Sequence, residues 1–294
     1  MTRVVLVALL LLAACTASTG PGPSSDGLLR QMRACLADPE APPCTIVDPD
    51  RGFVVIKDDD RAKPYAWLLV PSTDVTGIED PAVFVAPVAG FWAVGWQVGR
   101  GLVPAPPEGL GLAINSVAGR SQNLLHIHVS CVLPEVRAAL ATATIGPDWA
   151  GAPFLTLAGQ RFNARRVVRL EPSPFLLLRD LPGAVEDMAA QSLAVIGRAG
   201  GTRWALRPDR PCRKLTGREV RPEQRAVCNL RGVHGIVPEL RVRHRTGSQL
   251  RRADAVAREL ADSRNARPAQ RDKKRETGDD HCRRRPAKEL SHIV

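Results

Sequence analysis

Alternating and helically spaced apolar residues divide the first part of the chain into a short helix and two strands. Residues 28–36 place four apolar side chains near helical spacing, which predicts a short amphipathic helix. Residues 52–57 and 65–70 are apolar runs separated by an acidic turn at 58–60, and Pro71 ends the second run. We expect these two runs to pair as a β-hairpin.

The same two periodicities continue through the middle of the chain. Residues 80–98 are mostly small and apolar and include four aromatic residues, which suits a helix and a loop packed over a sheet. Three prolines between 104 and 107 mark a surface loop, and strands are predicted at 110–115 and 124–132. A second clear helix is predicted at 134–141.

The remaining elements complete the fold class. Strands are predicted at 154–157, 164–170 and 192–197, with a helix at 183–191. Antiparallel hairpins with helices between them predict an α+β layer fold, in which an antiparallel sheet carries packed helices. The sequence contains no recognisable internal repeat.

The N-terminus has the pattern of an export signal. Arg3 precedes nine apolar residues at 4–12, and this run is too short for a transmembrane helix, which needs roughly 20. The ending at Cys15 resembles the lipobox of bacterial lipoproteins, in which the cysteine is lipidated; an ordinary secretory signal with an incidental Cys15 is the alternative. We expect a signal peptide at 1–15, a flexible tether at 16–27, and an exported chain anchored to the cell membrane on its periplasmic face.

The net charge is unevenly distributed along the chain. The formal charge is +11, but residues 201–294 hold 25 Lys and Arg against 12 Asp and Glu, whereas the remainder holds 16 against 18. The basic part has a single aromatic residue, Trp204, and we expect most of it to be disordered. A shifted reading frame and a genuine basic extension would each explain it. We therefore place one domain at 28–204 and a basic tail at 205–294.

Two histidines occupy one face of the strand predicted at 124–132. Polar and apolar residues alternate there, so His126, His128 and Ser130 share a face opposite to Cys131. Three interpretations compete: a polar strand face without further role, a zinc site built on the H-x-H pair, and nucleophilic catalysis by an imidazole. Cys131 points away from both histidines and no second histidine cluster is present, so we predict no metal.

The spacing around these histidines resembles the signature of the histidine triad superfamily. In that signature an asparagine precedes the first histidine by eleven residues, as Asn115 precedes His126, and a Gly/Gln loop leads into H-x-H-x-H. Ser130 stands at the third histidine position. The Asn-Ser, Gly-Arg-Ser-Gln and His-Ile-His-x-Ser-Cys segments resemble one branch, the CDP-diacylglycerol pyrophosphatases, and the resemblance extends over residues 30–200.

The resemblance implies a HIT-like catalytic domain in which His128 attacks the nucleotide's α-phosphorus and forms a nucleotidyl-histidine. The implied reaction cleaves CDP-diacylglycerol to CMP and phosphatidate without a cofactor, and no nucleic acid partner is expected. Backbone N–H groups and the arginine charge of a glycine-containing loop would stabilise the phosphate, while the two amides would orient phosphate or ribose. The implied substrate-binding residues are Asn115, Gly119, Arg120, Ser121 and Gln122.

Serine at the third histidine position bears on the leaving group. A third histidine would act as general acid for a basic leaving group such as an amine, and serine is a poor acid. Phosphatidate needs little protonation to depart. Ser130 therefore fits cleavage of a phosphoanhydride better than that of a phosphoramidate, and the predicted catalytic residues are His128, His126 and Ser130.

Six cysteines remain besides Cys15. Cys35 and Cys44 flank a short Pro-rich loop, and in an oxidising compartment we expect them to form a disulfide; two unpaired thiols are the alternative. Spacing does not define the connectivity of the other four, so the partner of Cys131 is left open.

A membrane surface is the expected partner of a tethered domain acting on a lipid. The apolar residues 84–96 would either shield the glycerol backbone of that lipid or pack in the core. A function of a different class is a non-catalytic, membrane-tethered lipoprotein whose basic tail binds anionic lipid or nucleic acid. Replacing His128 by alanine would be silent in such a protein, and nothing in the sequence indicates an oligomeric state.

Overall fold

The computed structural model of the chain describes residues 26–60, 63–149, 155–157 and 160–209. The described helices are α1 (Gly27–Ala37), α2 (Phe91–Leu102), α3 (Pro134–Thr142) and the single turn α4 (Pro174–Leu177). The described strands are β1 (Cys44–Asp48), β2 (Phe53–Lys57), β3 (Ala66–Pro71), β4 (Leu110–Ile114), β5 (Ile127–Cys131), β6 (Leu155–Leu157), β7 (Gln160–Val167), β8 (Leu193–Gly197) and β9 (Arg203–Pro208). Within these ranges, no helix has the length and apolar character needed to cross a bilayer.

The described strands form one sheet in the order β1-β2-β3-β5-β4-β8-β9-β7-β6. Every described neighbour pair is antiparallel. Strands β2 and β3 pair as the expected hairpin, with Val54 opposite Val70. The prediction of an α+β fold, with an antiparallel sheet and packed helices, is confirmed.

Helix α2 packs on one face of the sheet, over β4 and β5. Its Gly99 allows a close approach, because a Cβ atom there would lie 2.7 Å from Leu110 Cδ1 and 2.9 Å from Val129 Cγ1. Phe91 and Trp92 at the start of α2 are 1% and 0% exposed. These two rings belong to the core, as the core-packing alternative for residues 84–96 expects, whereas Val85 in the same stretch is 62% exposed.

The opposite face of the sheet carries two separate apolar clusters. Helix α1 covers the β2–β3 side, where Met32 packs with Ile56. Helix α3 covers the β8 side, where Leu140 packs with Ile196. Strand β5 runs between these two regions.

Two predicted strand boundaries are wrong. Strand β5 begins at Ile127 rather than at residue 124, because the chain before it bonds to a loop: Leu125 N donates to Val75 O at 2.7 Å. Strand β7 is Gln160–Val167 rather than 164–170, since its ladder with β9 runs from Phe162 to Val167.

The helix predicted at 183–191 is also wrong. Gly183 has a positive φ of 71°, which forms a turn that a helix cannot contain. Only the short 3-10 turn Met188–Ala190 follows, and Gln191 Nε2 donates back to Asp187 O at 3.0 Å. The apolar spacing of this segment buries side chains without building a regular helix.

The end of the domain requires a correction, because the boundary at 204 falls inside a strand that the sequence did not predict. Strand β9 is Arg203–Pro208, and it pairs with both β7 and β8. Trp204, Ala205 and Leu206 are at most 2% exposed. The folded domain therefore continues through Pro208, whereas the rest of the basic tail, like the signal and most of the tether, lies outside the described residues.

Candidate active site

His128 and Ser130 lie on β5, on the sheet face that carries α1 and α3. His128 is opposite Ala113 of β4, and Ser130 is opposite Gly111 of β4 and Ala66 of β3. On its other side His128 is opposite Leu68 of β3, so the imidazole lies between one large and one small neighbour on this face of the sheet. His128 is half-buried and Ser130 is 4% exposed.

Asn115 approaches His128 from the residue that follows β4. Its Nδ2 atom is 3.3 Å from Nε2 of His128, and its side chain is buried. An amide nitrogen can only donate, so Nε2 accepts and carries a lone pair, and the ring proton is on Nδ1. The asparagine spacing noted in the sequence therefore corresponds to a direct contact in the structure.

His126 lies immediately before β5 and is 8% exposed. Its Nδ1 atom is 2.7 Å from the carbonyl oxygen of Leu124, which can only accept, so Nδ1 is protonated. Burial lowers the pKa of His126; the bond to Leu124 opposes this shift, and the charge of Arg120 adds to it. The ring is therefore neutral, with a lone pair on Nε2.

The two imidazoles are in contact. Their ring centroids are 4.9 Å apart and the planes meet at 73°, an edge-to-face arrangement. His126 thus limits the rotation of His128 from one side, while Asn115 holds it from another. The sequence predicted both histidines on one strand face; the structure places His128 on β5 and His126 just before it, with the two rings in contact.

The loop before His126 differs from the expected phosphate-binding loop. The backbone N–H groups of Gly119 and Arg120 both donate to the carbonyl oxygen of Ser116, at 3.0 and 3.1 Å. Gly119 N also lies 3.2 Å from Ser116 Oγ. These two N–H groups close a turn instead of pointing toward a substrate, so their predicted role needs correction. Ser121 is exposed, and its role stays a prediction.

The charge of Arg120 is not available as a free cation. Its Nη1 and Nη2 atoms donate to the two carboxylate oxygens of Glu79 at 2.6 and 2.5 Å, and its side chain is 5% exposed. A direct contact between Arg120 and the phosphate would require this pair to separate, and the predicted role of Arg120 stays a prediction. Sequence reasoning missed Glu79, which lies 41 residues away along the chain.

Gln122 also has a structural partner. Its Oε1 atom accepts from the backbone N–H of Leu28 at 2.9 Å, in the first turn of α1. A helix begins with N–H groups that lack partners inside the helix, and Gln122 satisfies one of them. This contact fixes α1 against the loop, while the predicted role of Gln122 in orienting substrate stays a prediction.

Ser192 is a second residue that the sequence analysis missed. Its Oγ atom accepts from Ser116 N at 2.9 Å, and both serines are buried. The bond ties the turn after Asn115 to the start of β8. Only the folded sheet brings these two serines together, since 76 positions separate them.

The three cysteines in the described part of the chain form disulfides and hold no metal site. Cys35 and Cys44 are joined by a disulfide, with Cα atoms 5.6 Å apart. Cys131 is disulfide-bonded as well, so it does not offer a thiolate ligand beside the histidines. The identity of its partner lies outside the described residues.

Comparison with known proteins identifies the family. A family model described as CDP-diacylglycerol pyrophosphatase matches residues 25–207, and the chain belongs to this family. A CDP-diacylglycerol pyrophosphatase of Yersinia pestis is 37% identical over 170 residues, which cover 54% of this chain and 65% of the relative. The match thus spans slightly less than two thirds of the relative's length.

Two solved structures are also similar in part. They are yeast Ap4A phosphorylase in complex with AMP, at a TM-score of 0.39 and 14% identity, and the same enzyme described without AMP, at 0.38 and 13%. Each similarity covers 79% of this chain and, respectively, 79% and 78% of the other.

Proposed function

We propose that this chain hydrolyses the phosphoanhydride of CDP-diacylglycerol to CMP and phosphatidate, with His128 as the nucleophile. Family membership and the name of the Yersinia relative support this substrate. The single observation that carries the mechanism is the Asn115 amide nitrogen 3.3 Å from His128 Nε2. It assigns the lone pair to Nε2, the atom that attacks, and the Asn115 amide must release this lone pair when the substrate phosphorus takes its place.

In the first step, the Nε2 lone pair of His128 attacks the phosphorus bonded to the cytidine ribose. The bond from that phosphorus to the bridging oxygen breaks, and phosphatidate leaves with the bonding electrons and the bridging oxygen. The products of this step are phosphatidate and a cytidylyl-His128 joined by a P–N bond. The proton on Nδ1 stays on the ring, so the intermediate is a cytidylyl-imidazolium with one positive charge. This charge makes the imidazole a good leaving group in the second step, in which the attacking water releases one proton to solvent.

In the second step, water attacks the same phosphorus and the P–N bond breaks. The water oxygen enters CMP, and the electron pair returns to Nε2 of His128. The free imidazole is thereby regenerated, and no oxidant or reductant is needed.

Ser130 and His126 have limited but distinct roles in this scheme. Ser130 is buried, and its Oγ makes a long contact of 3.5 Å with the Cys131 carbonyl oxygen, so it is not placed as a strong proton donor. A phosphate monoester leaves without strong acid assistance, and this chemistry suits the phosphoanhydride. His126 is neutral and packs against His128, which restricts the nucleophile to the orientation that Asn115 also favours.

Hydrolysis of CDP-diacylglycerol in ¹⁸O-water, followed by mass spectrometry of both products, tests the site of attack. We expect the label in CMP; label in phosphatidate would contradict the proposal. An alkaline quench during turnover should preserve the P–N bond and reveal a cytidylylated peptide that contains His128.

The variant His128→Ala tests the nucleophile. Asp74→Asn is the folded control, because Asp74 has no role in the proposed reaction and forms an exposed ion pair with Arg33. Loss of the covalent route should reduce turnover by more than the roughly 10²–10⁴-fold that acid–base assistance contributes. Full activity of His128→Ala would eliminate the covalent mechanism. An inactive wild type would instead favour the non-catalytic alternative, in which His128→Ala is silent.

We further propose, from the sequence pattern, that the chain is exported and held at the membrane by a lipidated Cys15. A lipid substrate supports this location, because a tethered domain reaches a headgroup without extracting the lipid. No described residue favours the non-catalytic lipoprotein, whose binding tail lies outside the described residues.

A further inference from the structure

Glu79 lies on a loop that is fastened to the segment leading into His126. Leu125 N donates to Val75 O at 2.7 Å, which joins the two segments directly. Asp80 closes the loop, since its carboxylate accepts from Thr76 N at 3.1 Å and from Ala82 N at 3.0 Å. The loop therefore presents the Glu79 carboxylate in a fixed place, where it meets Arg120.

The space for the Arg120 guanidinium exists only because residue 77 is glycine. A Cβ atom at Gly77 would lie 2.0 Å from Arg120 Nη1 and 2.7 Å from Glu79 Oε2. The guanidinium thus lies against the backbone of this loop while both of its terminal nitrogens bond to Glu79. Such two-point pairing fixes the direction of the arginine as well as its position.

Arg120 is too buried to contact the substrate in this arrangement. Its side chain is 5% exposed, and its Nε atom is buried with no hydrogen-bond partner among the described residues. Its backbone N–H closes the turn that begins at Ser116, directly after Asn115. Arg120 therefore affects the reaction through this turn and through the effect of its charge on His126.

We propose that Glu79 is a positioning residue for the reaction of His128: its carboxylate fixes Arg120, and Arg120 fixes the turn between Asn115 and His126. This inference rests on the proposed function for its kinetic consequences. It goes beyond that function by assigning a role to a residue outside the histidine motif.

Because Arg120 is charged, the proposal makes a specific prediction for the pKa of His126. Arg120 lowers the pKa of His126, whereas Asp58 at the end of β2 raises it; the other titratable group facing His126 is His128, which is in ring contact. Removing the negative charge of Glu79 leaves the arginine charge unbalanced. Removing the arginine charge has the opposite effect on His126.

The variants Glu79→Gln and Arg120→Gln should therefore lower kcat by about 10- to 100-fold, because small displacements of reacting groups are costly. They should also move the His126 titration in opposite directions: to lower pH in Glu79→Gln and to higher pH in Arg120→Gln. A defect that is merely structural would not produce opposite shifts. Asp74→Asn is the matched control, because Asp74 is in the same loop region but forms an exposed ion pair, with 59% of its side chain accessible.

The His126 titration is measured by NMR on the full chain, which requires no turnover, and kcat is measured over the same pH range. If wild type lacks activity, the proposed function fails, but the two opposite NMR shifts still test the Glu79 assignment. If Glu79→Gln does not fold, Glu79→Asp and Arg120→Lys replace the two variants. Glu79→Asp keeps the negative charge and should retain part of kcat. Arg120→Lys keeps the positive charge but loses the two-point pairing, so its kcat should stay low. Unchanged kcat in folded Glu79→Gln, or shifts in the same direction, would overturn the proposal.

Discussion

Replacing His126 by asparagine should make the stability of the protein less sensitive to acid. Asparagine preserves the local contact, because its amide nitrogen can take the place of Nδ1 and donate to Leu124 O, now bonded at 2.7 Å. It cannot take up a proton in this pH range. The variant therefore removes the titration of His126 while keeping its main hydrogen bond.

The sign of the effect follows from the lowered pKa of His126, which is caused chiefly by burial. The unfolded chain protonates this histidine near its ordinary pKa of 6.5, but the folded chain does not. Below that pH the unfolded state binds more protons, so the free energy of unfolding decreases as the pH falls. The loss continues until the pH reaches the lower pKa of the folded state.

The expected magnitude is set by a single proton. One proton difference changes stability by at most about 1.4 kcal/mol per pH unit. Between pH 7.5 and 5.5 the wild type should therefore lose up to about 1.4 kcal/mol more than the variant, since only the final unit lies below the ordinary pKa. Any constant cost of losing the imidazole ring cancels in this comparison.

Urea unfolding followed by tryptophan fluorescence measures the difference, with the disulfides kept oxidised at every pH. The free energies of unfolding of wild type and His126→Asn are compared at pH 7.5, 6.5 and 5.5. The free energy of unfolding of wild type minus that of His126→Asn should decrease as the pH falls. A difference that is independent of pH, or one that changes in favour of wild type in acid, would refute the assignment of His126 as a buried neutral imidazole.

Two further predictions concern the packing of α2 and the N-terminus. Gly99→Ala should destabilise the protein by about 1–3 kcal/mol in urea unfolding, because its Cβ would meet Leu110 and Val129 at 2.7 and 2.9 Å. Gly95→Ala in the same helix should be neutral or stabilising, since the nearest atom, on Leu112, is 3.5 Å away; equal effects at both positions would contradict this packing. Mass spectrometry of the mature protein should find a diacylated Cys15 as the first residue, and an unmodified Cys15 or an intact N-terminus would exclude lipidation.

The local pattern of the sequence predicted the parts of the fold that depend on local periodicity. The hairpin of β2 and β3 and the helices α1 and α3 follow directly from apolar spacing. Strand β9 was missed because Arg203 and Arg207 made it resemble the basic tail, although the residues between them are buried in the sheet. The helix at 183–191 was predicted from spacing that instead serves a turn and a loop.

At the candidate site, the sequence predicted the contacts that lie along one motif and missed those that cross the fold. Asn115 and His128 meet because adjacent antiparallel strands bring them together, whereas the sequence had only placed Asn115 in the same motif, eleven residues before His126. The partners of Arg120 and Gln122 are 41 and 94 residues away. From the sequence alone, a polar loop residue next to a histidine motif suggests substrate binding. The sequence does not show whether a distant residue already pairs with it.

Arg120 could serve a bound phosphate in two ways: by contacting it directly, or by staying paired with Glu79 and holding the loop in place. The energy of the Glu79–Arg120 pair bears on this choice. To contact the phosphate directly, Arg120 would have to leave Glu79, and breaking a buried ion pair costs about 3–5 kcal/mol when one charge is left without its partner. The Glu79 side chain is 25% exposed, so water would compensate part of this cost. A phosphate would have to replace both hydrogen bonds to Glu79 to offset the rest. The energy of the pair therefore favours our proposal, in which Arg120 stays with Glu79 and the loop holds Asn115 and His126 in place.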